Sequence, residues 1–135
     1  MGLLLDSNIL IRWERSGLDL GAHTGLHGGE AVFLSAVTAS ELLHGVHRAT
    51  DPAVRGRRAS WVEAVLDRFP VLPVDLATAR AHARLWAHLM SRGELIGPHD
   101  LWIAATALRH GLTLATANRR EFDRVPGLVV EDWAG

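Results

Sequence analysis

The sequence predicts an α/β protein, a three-layer α/β/α sandwich in which helices cover both faces of a short parallel sheet of four to five strands. Short apolar runs alternate along the chain with longer segments that have helical spacing. These runs are rich in Val and Leu, as is typical of parallel strands buried on both faces. The chain has 135 residues, 48% of them hydrophobic, so we expect a single domain over residues 1–135.

The predicted strands are continuously apolar runs, and each is bounded on both sides by residues that favour turns or helix caps. In chain order, they cover residues 2–5, 31–34, 71–74, 112–116 and 128–130. Helical segments separate most of them, which is the connection that parallel strands require.

The predicted helices are bounded by residues that favour helix termini. Ser35, Asp51 and Asp75 are expected N-caps, Pro52 suits a first helical position, and Gly93 ends a helix. In chain order, the helices cover residues 7–16, 36–49, 52–69, 76–92 and 98–110, with a turn or short helix within 118–127.

The start of the first helix has two possible caps, Asp6 and Ser7, and Gly17 lies past its end. If Asp6 is a ligand instead, we expect the capping role to pass to Ser7. The glycine-rich stretch 17–29 is expected to be a loop or a weak helix.

The composition excludes several kinds of chemistry. Cysteine is absent, which removes disulfides, thiolate zinc sites and thiol nucleophiles. All fourteen basic residues are arginine, so the lysines of P-loops and Schiff bases are missing, and tyrosine is absent too. No apolar run approaches the ~20 residues that span a bilayer, and no signal-peptide pattern is present. We therefore expect a cytoplasmic protein.

Acidic and amide side chains collect where the predicted strands end. They are Asp6, Glu41, Asp100, Asn118, Glu121 and Asp123. Because ligands of parallel sheets bind beyond the carboxyl ends of the strands, four or five acids could meet at one edge. Carboxylates gathered at one place repel each other unless a cation lies between them. Oxygen ligands without cysteine indicate Mg²⁺ or Mn²⁺, which commonly serve phosphoryl chemistry.

Each acid also has a purely structural explanation, which the residue alone does not exclude. Asp6 could be only a helix cap, and Glu41 lies opposite the apolar face of its helix, as a solvated residue would. Asp100, in the first turn of a helix that is apolar almost all round, gains from the helix dipole. Glu121 could be an ordinary surface residue. Only their common position favours a metal site.

The eight histidines suggest a different metal centre, but the pattern is incomplete. Glu41 and His44 form one Glu-x-x-His pair, whereas a di-iron site needs a second pair on another helix. We expect solvated or partly packed histidines. His99 adjoins Asp100, so it could tune the site or contact a phosphate, although surface and capping roles stay open.

Three segments, in order, resemble the four motifs of PIN-domain nucleases of the VapC type. "LLLDSNILI" resembles the first motif, in which a strand ends in Asp, here Asp6. "LSAVTASELLHGV" resembles the second, whose glutamate falls on Glu41. "IGPHDLWIAATALRHGLTLATANRREFDRVPGLVVEDW" resembles the third and fourth motifs. The family's third acid falls on Asp100 in this segment.

The fourth motif departs from the family pattern, in which many members carry Asp where this chain has Asn118 or Glu121. The "T-x-N" turn of the motif falls on Thr116 and Asn118. The glycine-rich stretch 17–29 replaces a helix that often contributes to dimer or antitoxin contacts in the family.

The resemblance implies a metal-dependent endoribonuclease, the toxin of a type II toxin–antitoxin pair, with a PIN-like fold. Asp6, Glu41 and Asp100 would hold Mg²⁺ or Mn²⁺, and Ser7 would support the first carboxylate. Asn118 and Glu121 would complete or order the site. Bound water would attack the phosphodiester of a structured RNA, such as a tRNA or an rRNA loop.

The resemblance also implies partners. The family forms homodimers and assembles with a small DNA-binding antitoxin, as a heterotetramer or hetero-octamer, with the antitoxin tail covering the active site. No membrane is involved. Because an acidic site repels phosphate, Arg119, Arg120 and Arg124 near the site are candidate RNA contacts, and Arg55, Arg57 and Arg58 are candidates farther away. Solvated surface arginines are the alternative for each.

Two other functions remain possible. A degenerate PIN module could act as an RNA- or protein-binding scaffold, although such a scaffold need not keep its acids. A Mg²⁺-dependent phosphatase-like domain also carries an acid after its first strand. Haloacid-type phosphatases have a second Asp where this chain has Asn8, and a late lysine that this chain lacks.

Overall fold

The computed structural model describes residues 2–17 and 30–133. The predicted loop or weak helix at 17–29 therefore lies, after Gly17, outside the described residues. The strands are β1 (Leu3–Leu5), β2 (Val32–Ser35), β3 (Val71–Leu72), β4 (Thr113–Thr116) and β5 (Val130–Asp132). The helices are α1 (Ser7–Arg15), α2 (Ala36–Arg48), α3 (Pro52–Arg68), α4 (Leu76–Ser91), α5 (Pro98–His110) and α6 (Arg119–Phe122).

The five strands form one sheet in the order β3-β2-β1-β4-β5, and every strand pair is parallel. β1 lies at the centre, with Leu3 opposite Val32 of β2 and opposite Thr113 of β4. The chain leaves β1 toward one edge and later returns to its other side. The carboxyl end of β1 is therefore a switch point, the place where open α/β sheets bind ligands.

Consecutive residues of β1 contribute to cores on opposite sides of the sheet, as the two-residue period of a strand requires. Leu4 packs in the cluster that contains Leu85 of α4 and Ile103 of α5. Leu5 packs in the cluster that contains Leu42 of α2 and Val62 of α3. The α/β/α sandwich with a parallel sheet is thus confirmed.

The third and fifth strands differ from the prediction. β3 ends at Leu72 rather than at residue 74, because Pro73 has no N–H group to continue the ladder. β5 covers Val130–Asp132 rather than 128–130. Leu128 instead donates its backbone N–H to Val125 in a turn. An edge strand with a solvated side tolerates polar residues, so apolar content alone misplaced β5.

The structure decides between the two possible caps of α1. The helix begins at Ser7, and Asp6 is its N-cap residue, so the prediction that capping passes to Ser7 is wrong. Ser35 caps α2 as predicted, with its Oγ accepting the backbone N–H of Thr38 at 2.9 Å. Asp51 and Asp75 also cap their helices as predicted. None of the described helices is both long enough and apolar enough to cross a membrane.

Candidate active site

The carboxyl ends of β1 and β4 bring the predicted acids together. Asp6 follows β1, and Thr116 is the last residue of the neighbouring β4. Glu41 comes from α2, Asp100 from the first turn of α5, and Glu121 from α6, which follows β4. The four carboxyl groups are near enough to influence each other's protonation. The structure therefore brings together the four acids predicted from the sequence.

Asp6 is buried and fixed by two hydrogen bonds. Its Oδ1 accepts the backbone N–H of Ser7 at 2.8 Å, and its Oδ2 accepts the hydroxyl of Thr116 at 2.8 Å. Burial raises the pKa of Asp6, and nearby Glu41 and Glu121 raise it further, against the lowering effect of the two hydrogen bonds. The fold thus holds a carboxylate where its charge is costly.

Thr116 connects Asp6 to the turn after β4. Its Oγ1 accepts the backbone N–H of Asn118 at 2.9 Å and lies 3.4 Å from the side-chain amide of Asn8. The other end of that amide, Asn8 Oδ1, accepts the backbone N–H of Ala117 at 3.2 Å. Asn8 was not among the predicted site residues. Its place within "DSN", directly after the first strand, was the signal that could have identified it.

Asp100 and Glu121 form a hydrogen-bonded pair of carboxyl groups. Burial, the hydrogen bond with Glu121 and the negative charges of Asp6, Glu121 and Glu41 together raise the pKa of Asp100 to about 8, with burial as the largest cause. The pKa of Glu121 is lowered, mainly by the hydrogen bond from Asp100. Opposite shifts of this kind are what one hydrogen bond between two carboxyl groups produces, with Asp100 as the donor and Glu121 as the acceptor.

Glu121 is also held by two further donors. Its Oε1 accepts the backbone N–H of Gly97 at 2.9 Å, and its Oε2 accepts the side-chain amide of Asn118 at 3.1 Å. A Cβ at position 97 would lie 3.5 Å from Asp100 Oδ2 and 3.8 Å from Glu121 Oε1. Glycine thus leaves the space beside both carboxyls open. Sequence reasoning missed Gly97, although its position before the Pro98 helix start was visible.

Glu41 is the least satisfied carboxylate of the cluster. Its Oε1 is buried and accepts no hydrogen bond from any described residue. Its Oε2 lies 3.5 Å from Nδ1 of His99, an imidazole whose side chain is 66% exposed. A buried carboxylate oxygen without a donor is costly unless a cation or water reaches it. Glu41 is therefore not the fully solvated residue that its helical position also allowed.

The donor set fits a hard divalent cation, because it consists of carboxylates, one of which has an orphaned buried oxygen. Within residues 2–17 and 30–133, however, no three His, Asp or Glu groups converge closely enough to form a ready-made metal centre. Because the pKa of Asp100 is raised, cation binding there would compete with protonation of the carboxyl group.

The arginines predicted to bind RNA differ in their surroundings. Arg119 Nε lies 3.3 Å from Oδ1 of Asp123, and Arg124 donates to the carbonyl of Leu95 at 3.0 Å. Arg120 is exposed and makes no hydrogen bond with the residues that the structure describes. These arginines are on or beside α6, but two of the three are already engaged.

A cleft of about 520 Å³ opens beside Glu41, between α1 and α2. We refer to it below as the α2 cleft. Its lining residues are Ser7, Ile11, Ser40, Glu41, His44, Gly45, Arg48 and His99. The cleft therefore continues from the carboxylates along one side of α2.

The other histidines of interest do not form a metal site. His44 is exposed on α2, and the described residues contain no second Glu-x-x-His pair beside it. His82 of α4 stacks on Trp102 of α5, with ring centroids 3.5 Å apart and planes at 11°. Burial lowers the pKa of His82, so this imidazole is a packed core group.

The PIN domain family model matches residues 3–128. A relative from Rickettsia felis, "Ribonuclease VapC1", is 35% identical over 96% of this chain and 95% of its own. A relative from Shigella flexneri, "tRNA(fMet)-specific endonuclease VapC", is 34% identical over 97% of both chains.

Among solved structures, the chain resembles one in a complex of Rickettsia felis, VapBC2 bound to a DNA fragment from its promoter. The TM-score is 0.88 and the identity 26%, with coverage of 98% of this chain and 99% of the other. The family match extends over nearly the whole sequence and includes all four acids. The chain therefore belongs to the PIN-domain family, among the VapC ribonucleases.

Proposed function

We propose that this protein is a metal-dependent endoribonuclease and the toxin of a type II toxin–antitoxin pair. It hydrolyses phosphodiester bonds in structured RNA, either tRNA or rRNA. The observation that carries the proposal is the group of four acids at the sheet's switch point, one with a buried oxygen that lacks a donor. The relatives named as a ribonuclease and as a tRNA endonuclease support it.

Asp6, Glu41 and Asp100 would hold Mg²⁺ or Mn²⁺. When bound, such an ion supplies positive charge for the phosphate oxygens and lowers the pKa of a coordinated water. The backbone of Ser7 and the hydroxyl of Thr116 orient Asp6. Glu121, held by Gly97 and Asn118, accepts a hydrogen bond from Asp100. Asp100 would hold a cation in its deprotonated form.

The partners we propose are a small DNA-binding antitoxin and a second copy of this chain. The antitoxin tail would cover the acidic site, and the assembly would be a heterotetramer or hetero-octamer. The solved VapBC2 complex from Rickettsia felis, which holds promoter DNA, supports an antitoxin partner. Structured RNA as substrate and an antitoxin as partner both imply a cytoplasmic protein.

The test is cleavage of bulk bacterial tRNA and of rRNA by the purified chain in Mg²⁺, in Mn²⁺ and in EDTA. We expect cleavage only with a divalent cation, and its loss in Asp100→Asn. The amide keeps the size of the carboxyl group, so Asp100→Asn should remain folded, which circular dichroism checks. Cleavage in EDTA, or undiminished cleavage by folded Asp100→Asn, would contradict the proposal.

A catalytically degenerate scaffold predicts a different outcome in the same experiment. Such a protein would bind tRNA without cleaving it under any metal condition. A phosphatase-like domain would instead hydrolyse a phosphate monoester such as p-nitrophenyl phosphate and leave tRNA intact. One set of assays therefore separates the three functions.

A further inference from the structure

We propose that the α2 cleft holds the RNA strand next to the cleaved bond, with Arg48 as its main phosphate contact and His44 as a second. This inference rests on the proposed ribonuclease function. It assigns the substrate path to α2 rather than to α6, where the sequence placed it. The occupant is an unpaired stretch of RNA backbone.

The need for such a contact follows from the charge of the site. Four acids at one edge of the sheet repel a phosphodiester, because like charges repel at short distance. A polyanion therefore needs cationic groups just outside the carboxylate cluster. With no lysine in the chain, those groups must be arginine or histidine.

Most arginines near the site are already used for structure. Arg119 pairs with Asp123 at 3.3 Å, and Arg58 donates to the carbonyl of Gly45 at 3.1 Å. Arg55 donates to the carbonyls of Ala49 and His47 at 3.0 and 3.1 Å. These guanidinium groups would give up intramolecular bonds in order to bind RNA.

Arg48 is different. It is exposed in the last turn of α2, it lines the cleft, and its guanidinium group makes no hydrogen bond or ion pair with any residue in the described parts of the chain. Arg120 is equally exposed, but it is not among the residues that line the cleft. The guanidinium group of Arg48 therefore has no partner among the described residues, and it lies in the cleft that leads to Glu41.

The spacing along α2 suits a polymer. Ser40, His44 and Arg48 lie four residues apart on one helix face, so successive side chains are separated by about 6 Å along the axis. Glu41 adjoins the first of them, so the row of donors begins at the carboxylate cluster. A backbone with regularly spaced phosphates can follow such a row away from the site.

The remaining lining completes a site for a nucleotide. The cleft volume of about 520 Å³ lies within the ~300–1,000 Å³ range of ligand sites. Ile11 and Gly45 supply an apolar part, and His99 supplies an exposed imidazole at the carboxylate end. Glu41 is the one acid in the lining. Guanidinium, imidazole and hydroxyl donors are the groups that proteins use for RNA phosphates.

The test measures binding separately from cleavage. In an Asp6→Asn background with EDTA, labelled bulk bacterial tRNA is titrated at several NaCl concentrations. Arg48→Ala should raise Kd at least about fivefold and make the salt dependence shallower by about one unit of log–log slope. His44→Ala should have a smaller effect of the same sign. Arg48→Lys should keep the slope, because it keeps the charge.

The matched control is Arg84→Ala, which also removes an arginine from a cleft. That second cleft lies beside Arg109, about 13 Å along α5 from Asp100. Kd and slope should match the parent protein. An Arg48→Ala protein with parental affinity and slope, or an equal loss in Arg84→Ala, would overturn the inference.

Two further outcomes distinguish a failure of the proposed RNA path from a failure of the proposed nuclease function. If Arg48→Ala keeps its tRNA affinity but no longer co-purifies with a co-expressed neighbouring antitoxin, the cleft holds protein and the inference is wrong. If the wild type cleaves neither tRNA nor rRNA although Arg48→Ala weakens binding, the RNA path stands and the nuclease function fails.

Discussion

Asp6 and Asp75 have the same position relative to a helix and the same kinds of hydrogen-bond donor, but their pKa values shift in opposite directions. Each is the N-cap residue of a helix, and each accepts one backbone N–H and one threonine hydroxyl. The pKa of Asp75, which is exposed, is lowered chiefly by its hydrogen bonds from Thr78. The pKa of Asp6 is raised, because burial outweighs comparable hydrogen bonds.

The difference lies in what the fold places around each carboxylate. Asp75 is near the positive charge of Arg109 at the end of α5, which lowers its pKa further. Asp6 faces Glu41 and Glu121, which raise its pKa. Asp6 also bonds to the N–H of Ser7, the next residue, whereas Asp75 reaches Thr78 in the usual capping geometry. A cap that serves only its helix is thus distinguishable from one that serves a site.

The largest expected effect is on RNA cleavage, which should depend on Asp6 but not on Asp75. Asp6→Asn should lower Mg²⁺-dependent tRNA cleavage at least about a hundredfold, the loss typical of a removed electrostatic group in an active site. It should also abolish the stabilisation by Mg²⁺, about 2.7 kcal/mol at 100 times Kd for a single site. Asp75→Asn should keep cleavage within twofold and keep the Mg²⁺ stabilisation. Cleavage assays and thermal unfolding with and without Mg²⁺ measure both.

The same two variants test whether Asp6 serves only as a helix cap. If Asp6→Asn and Asp75→Asn behaved alike in both measurements, Asp6 would have no role beyond its helix. The assignment of the carboxylate cluster would then be wrong.

The second prediction concerns pH and compares Asp100 with Asp75. The pKa of Asp100 is raised to about 8, so its stabilising effect is full below the unfolded value near 4 and is lost as pH rises through about 8. Without divalent cations, Asp100→Asn should equal the wild type near pH 4. By pH 8 it should be more stable by about 1–3 kcal/mol, the typical cost of a poorly compensated buried group.

Asp75 should show the opposite dependence. Its pKa is lowered, so its stabilising effect is present above the unfolded value near 4 and is lost as pH falls through the lowered pKa. Asp75→Asn should therefore be less stable than the wild type at neutral pH and should approach it in acid. Urea unfolding between pH 3 and 8 measures both curves. Parallel curves for the two variants would contradict the contrast.

The smallest effect comes from the two threonines that bond these aspartates. Thr116→Val should cost about 1–3 kcal/mol of unfolding free energy, because it leaves Asp6 Oδ2 buried without a donor. Thr78→Val should cost less, because exposed Asp75 regains water. Urea unfolding gives both values, with Thr116→Ser as the control that retains the hydroxyl. Equal costs would show that burial of the carboxylate is unimportant.

Much of the candidate site was predictable, because the motif residues lie at the ends of strands and helices, and the sequence pattern locates those ends. Asp6 after β1 and Asp100 in the first turn of α5 lie where the alternating strands and helices placed them. The contributions of Asn8 and Gly97 were not predicted. Asn8 bonds to Thr116 and Ala117 at the end of β4, and Gly97 bonds to Glu121 of α6. Sequence spacing carries no information on such long-range hydrogen bonds.

The sequence was also a poor guide to the residues that contact RNA. The sequence favoured arginines on α6 because they are close to Glu121 along the chain. The structure engages two of these arginines with Asp123 and Leu95 and opens a cleft along α2 instead. Proximity along the chain is a weak guide to which charged groups remain available.

By itself, the sequence determined the alternation of strands and helices, the parallel sheet and the acids at its carboxyl edge. These follow from hydrophobic period, capping residues and the geometry of parallel strands, which are local properties. Only the tertiary structure decided that the pKa of Asp6 is raised where that of Asp75 is lowered, and that Asp100 and Glu121 form a hydrogen bond that shifts their pKa values in opposite directions. Burial and the approach of distant charges set those energies, and both arise only when separate elements pack together.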